Sequence, residues 1–154
     1  MLAPVATAAQ AAQKIGYVSF AEVVQSMPQS KAAGQKIESQ VKSQKAQLDK
    51  LGKQIQTKIE TLRRDAKLMD KAKLEKAQNE IAALDKSYKE RAQQYQKQTA
   101  ELRAKEQQKI GKMVQSAIQS VAASQGYDII VDTQAVPYAK PQYDITDAVM
   151  KKVK

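Results

Sequence analysis

The stretch LRRDAKLMDKAKLEKAQNEI, residues 62–81, decides how this chain folds. Before it, Val41, Leu48, Ile55, Leu62 and Met69 recur every seven residues, and after it Leu74, Ile81, Tyr88, Tyr95 and Leu102 do the same. Apolar residues at that interval form the seam of a coiled coil. Met69 and Leu74, however, are five apart, which fits neither a seven nor a three–four step. Asp70 in the break is a good N-cap, with Met69 and Leu74 at the hydrophobic-staple positions around it. One helix therefore ends near 70 and a second returns along it.

The return can be checked by numbering. If the chain folds back about one point, facing residues have numbers with a constant sum. Met69 with Leu74, Leu62 with Ile81, Ile55 with Tyr88, Leu48 with Tyr95 and Val41 with Leu102 all share the sum 143. So do the intermediate layers Ala66 with Ala77, Ile59 with Leu84 and Leu51 with Ala92. A single straight helix has no need of this symmetry. Each arm, counted from Ile37 to Met69, would be roughly 50 Å long at 1.5 Å per residue. The seam is expected to weaken away from the tip, where Gln44 faces Thr99 and Gly52 costs about 1 kcal/mol relative to Ala. A bending arm is expected, because two helices bury only a narrow stripe.

The flanks read differently. Residues 1–13, MLAPVATAAQAAQ, are small and uncharged and read as a signal-peptide remnant or disordered leader, with Ala6-Thr7-Ala8 as a cleavage pattern. Lys14–Phe20, KIGYVSF, reads as a strand, and Ala21–Met27 as a helical turn stopped by Pro28. Ile110, Val114, Ala117, Ile118 and Val121 continue the return helix, and Gly126 stops it. Tyr127–Asp132 reads as a second strand and Ala135–Tyr138 as a short edge strand. Asp144 is expected to cap a last helix with Ile145, Ala148, Val149 and Val153 on its apolar face. The fold class is mainly α with a small β body, in which a long antiparallel coiled-coil hairpin projects from a small sheet. The sheet has open edges, so oligomerisation through them is expected. Residues 14–28 and 106–154 form the body, and 29–105 the hairpin.

Composition excludes much chemistry. With no Cys and no His, the chain cannot build a thiolate nucleophile, a disulfide, a Cys/His zinc site or a histidine acid–base pair. The five glycines are dispersed, so no phosphate-cradling loop exists. Asp144 with Asp147 and Asp128 with Asp132 are the close acidic pairs of the body, and capping or strand-end roles explain them. No enzyme activity, cofactor or metal is expected.

The formal charge is +10, and it is concentrated. Residues 29–105 carry 19 basic and 10 acidic side chains, a net +9. A solvated coiled-coil face explains abundant charge but not its sign. The candidate binding surface is therefore the basic arm and tip: Lys42, Lys45, Lys50, Lys53, Lys58, Arg63, Arg64, Lys67, Leu68, Lys71, Lys73 and Lys76. Met69 is read as a core staple. Tyr88 and Tyr95 are read as seam residues rather than as a stacking platform for nucleic acid.

Further motifs carry a resemblance. Lys14-Ile15 with Val18, Asp70 with Lys73-Leu74-Glu75-Lys76, and Gly111-Lys112 with Val114 are similar to the Skp/OmpH family of periplasmic chaperones. So are Val121-Ala122 with Ser124-Gln125, Asp128 with Val131-Asp132, Ala135-Val136 with Tyr138, and Asp144-Ile145-Thr146 with Val149, Lys151 and Val153-Lys154. The resemblance spans about 14–154, and the arms match in character more than in residues. It implies a homotrimer whose sheets close into a barrel and whose hairpins hang like tentacles. It implies an ATP-independent periplasmic holdase that keeps unfolded outer-membrane β-barrel proteins from aggregating. It also implies a link to lipopolysaccharide or an anionic membrane surface, without fixing the residues. The competing readings are a basic nucleic-acid-binding protein, which lacks any base-reading motif, and a structural coiled-coil adaptor.

Overall fold

The computed structural model describes residues 11–153. Most of the expected leader lies outside them. Strand β1 (Ile15–Val18) leads into α1 (Phe20–Ser26) and α2 (Pro28–Asp65). A 3₁₀ turn (Ala66–Leu68) precedes α3 (Lys71–Gln125), β2 (Ile129–Asp132) and α4 (Thr146–Lys152). Among the described residues, no helix is long and apolar enough to cross a membrane. The chain divides into two compact units, residues 32–107 and the flanks on either side of them.

In the flanking unit, β1 and β2 pair in parallel, with Ile15 opposite Ile129 and Val18 opposite Asp132. Gly16 is required here: a Cβ would lie 2.8 Å from the Tyr127 ring. The expected third strand is absent among the described residues. Thr133–Ala135 forms a 3₁₀ turn instead, because Asp132 accepts from the Gln134 amide at 2.8 Å and bends the chain out of the ladder. The far side of β1 carries a single parallel bridge from Tyr17 to Asp144, and Ile145 N donates to Tyr17 O.

β1 is also shorter than Lys14–Phe20. Ser19 caps α1 by accepting from the Glu22 amide, so Phe20 becomes the first helical residue. The Ser19 amide donates to Thr146 Oγ1 at 3.0 Å, and that hydroxyl donates to Asp144 Oδ1 at 2.6 Å. Asp144, the expected cap, thus prepares α4 from one position before the observed cap, which is Ile145. Val23, Met27, Val114 and Val149 are the largest fully buried side chains. Ile145 and Val153 are buried as the expected face of α4, and Ile110, Ala117 and Val121 as that of α3. Gly126, at φ 68, ends α3 in the left-handed region, and Tyr127 N donates to Ala122 O.

In the unit of residues 32–107, side-chain ties join α2 to α3. Lys36 meets Glu106, Gln44 meets Gln98, Gln47 meets Arg91 and Lys58 meets Glu80. One number rises as the other falls, which is the antiparallel return. Asp70 caps α3, accepting from the Lys73 amide at 2.8 Å, and Leu74 N donates to Asp70 O. α2 itself stops at Asp65, and the last turn tightens to 3₁₀ before the tip.

Two details differ from expectation. Gln44 pairs with Gln98 rather than Thr99, whose hydroxyl donates back to Tyr95 O within its own helix. And Val41 and Leu48, the layers farther from the tip, are the buried ones, while Ile55, Leu62 and Met69 are half-buried.

Gly16→Ala is expected to destabilise the fold by about 1–3 kcal/mol through overpacking against Tyr127. Asp70→Ala should cost about 0.5–2 kcal/mol as a lost cap. Urea unfolding monitored by circular dichroism reads both.

Candidate functional site

The twelve residues singled out in sequence all fall in the unit of residues 32–107, and all are exposed. Exposure follows from the seam: two helices cover one stripe of each other and leave the remaining circumference to water. Leu68 is 89% exposed at the turn, whereas Met69 is half-buried.

The structure sorts the eleven cations by partner. Lys58 is held by Glu80 at 3.0 Å, and Arg64 by its neighbour Asp65 at 2.8 Å. The other nine have no carboxylate within 4.0 Å among the described residues. The two paired carboxyls respond to their partners. The Glu80 carboxyl lies below its usual range because Lys58 donates to it, with the charges of Lys58 and Lys76 adding. The Asp65 carboxyl is lowered in the same way by Arg64. Both sit at the surface, so each pair contributes little to stability. The unpaired lysines keep their charge available.

Two open grooves gather part of the set. Lys50, Lys53 and Lys58 line one groove with Ala46 of α2 and Leu84 of α3. Lys42 and Lys45 line the other with Val41, Tyr95, Thr99 and Arg103. Neither of these two grooves includes the tip residues Arg63, Arg64, Lys67, Lys71, Lys73 and Lys76. Arg103 is a basic residue that sequence reasoning passed over. The signal was present, because the constant number sum sets Arg103 within two residues of facing Lys42. Arg103 lies in the less regular part of the return helix, beside the polar layer, where the seam pattern alone is weak.

The acidic pairs of the flanking unit are structural. Asp128 accepts from the Lys14 amide at 2.7 Å. Asp132 accepts from the amides of Phe20 and Gln134. Lys14 Nζ donates to Gln125 O and sits 4.2 Å from the centre of the Tyr127 ring. These contacts fasten strand and helix ends.

The lowered Glu80 carboxyl adds stability above the ordinary glutamate range and loses it as pH falls through its lowered value. Between about pH 6 and about pH 3, the melting temperature of the native chain should therefore fall more than that of Glu80→Gln. Equal slopes in thermal melts would remove the pair from the account.

Comparison with known proteins adds an independent line. Residues 14–153 match the OmpH-like outer membrane protein family. The chain is 41% identical to the chaperone protein Skp of Vibrio cholerae over 149 residues, covering 97% of this chain and 88% of that one. It is 32% identical to the chaperone protein Skp of Escherichia coli K12 over 150 residues, covering 97% and 91%. Its fold resembles the crystal structure of a Caulobacter crescentus protein described as an OmpH-like outer membrane chaperone. That match has a TM-score of 0.77 at 22% identity and covers 94% of this chain and 85% of the other.

Proposed function

The chain belongs to the OmpH-like outer membrane protein family, and from that premise we propose that it is an ATP-independent periplasmic holdase. Its clients are unfolded outer-membrane β-barrel proteins, which it holds between basic helical arms and keeps from aggregating. The observation that carries this reading is the set of nine exposed cations without carboxylate partners on the arm. Surface charge that is not spent on internal pairs is free to meet a client.

The physics suits holding rather than locking. Each exposed contact is worth at most about 1 kcal/mol and is screened by salt. Many such contacts acting together retain a chain without dictating its conformation. Lysine stems offer carbon while their heads stay wet. No step in this scheme makes or breaks a covalent bond, so the chain acts as a binder and not as an enzyme, and no nucleic-acid sequence is read.

The working form is a homotrimer. A two-stranded sheet is marginal alone, and Ile15, Phe20, Ile129, Tyr138 and Tyr143 are exposed in the same unit. Closing three such sheets together covers their edges and supports a barrel. Arms from three copies then surround one basic cavity, which concentrates the field there and speeds capture of acidic clients. The same charge gives lipopolysaccharide or an anionic membrane surface as a secondary partner.

A porin diluted from urea should scatter much less light when this protein is present in threefold excess at low salt. The protection should need no nucleotide and should fade as salt is raised. Scattering that is unchanged at low salt would refute the holdase.

A further inference from the structure

One groove in the unit of residues 32–107 has two unlike walls. It is open, ≈ 820 Å³ in volume, and lined by Ala46, Lys50, Lys53 and Lys58 of α2 and by Leu84 of α3. Asp49 is the one carboxylate in the lining. Glu80 engages Lys58 at 3.0 Å, while Lys50 and Lys53 have no carboxylate within 4.0 Å among the described residues. Leu84 is half-buried, so part of its side chain is left facing outward. α2 thus brings the ammonium groups, with Gln54 and Thr57 also in the lining, and Leu84 of α3 adds hydrocarbon to that of Ala46.

An extended chain sends successive side chains to opposite sides. If apolar and acidic residues alternate, one side of the segment is hydrocarbon and the other is carboxylate. We infer that this groove docks an extended segment of alternating apolar and acidic residues, its apolar side toward Leu84 and its carboxylates toward Lys50 and Lys53. Charge complementarity selects the acidic segment: a basic one would meet two unpaired ammonium groups and a single carboxylate. Membrane-spanning β-strands alternate apolar and polar residues, so those strands of an unfolded barrel protein whose polar positions are acidic belong to this class. The inference rests on the holdase reading and adds to it a pattern that the arm selects.

The test uses the full chain and fluorescence anisotropy with three short labelled peptides. One alternates Leu and Glu, one holds the same residues as two blocks, and one alternates Leu and Lys. The alternating acidic peptide should bind about fivefold more tightly than its block isomer, with the basic peptide weakest. The double variant Lys50→Gln, Lys53→Gln should lose about fivefold in affinity for the acidic peptide. The double variant Lys97→Gln, Lys105→Gln removes equal charge outside the groove and should change affinity by less than about twofold. Equal binding of the two acidic isomers, or equal loss in the two variants, would overturn the groove. A porin assay run alongside separates the two readings. If the native chain keeps porin soluble while the isomers bind alike, the groove falls and the holdase stands. If porin aggregates regardless, both fall.

Discussion

A seam between only two helices constrains everything in residues 32–107. It closes at Asp70, whose carboxylate takes the Lys73 amide and starts the return helix. Two helices share one narrow contact, so even the seam residues near the tip remain half-buried. Most of each helix faces water, and such a surface must be polar to stay soluble. Polarity does not dictate sign, however. The net charge of +9 over residues 29–105 is more than solubility asks for, and internal pairs use up little of it. The chaperone reading grows from that surplus.

The seam also contains a fault. Gln44 donates to Gln98 at 2.6 Å, but its own amide oxygen is buried without a partner. A buried polar layer weakens a coiled coil and fixes its register at the same time. Eight residues on, Gly52 sits mid-helix, where a Cβ would meet the Tyr88 ring at an ordinary 3.6 Å. Packing alone does not demand glycine there. Both features weaken the seam of the arm.

Sequence reasoning succeeded where one physical rule dominated. The heptad break located the turn and the fold-back gave the antiparallel direction, although the side-chain ties across the arm drift from the constant sum of 143 to 142 at Gln44 with Gln98 and to 138 at Lys58 with Glu80, and Gly126 ended α3 as its tolerance of positive φ implied. It failed where two local rules competed. AVPY looked like a strand because Val and Tyr favour extended backbone, but the Asp132 side chain captured the Gln134 amide and made a turn. Thr99 seemed to face Gln44, yet its hydroxyl satisfied itself on its own helix. Arg103 was missed because basic residues were sought along α2 and the tip, while a groove takes its walls from both helices. Partner choice among polar side chains depends on reach and geometry, which spacing does not encode.

The fold-back itself is open to direct measurement. Spin labels at Ser39 and Ala104, read by pulsed electron resonance in samples diluted with unlabelled chain, report one intrachain distance. Helices packed 8–10 Å apart should hold these labels within about 30 Å of each other, label linkers included. A continuous helix would separate them by roughly 98 Å, and a distance of that order would contradict the hairpin and the basic arm built on it.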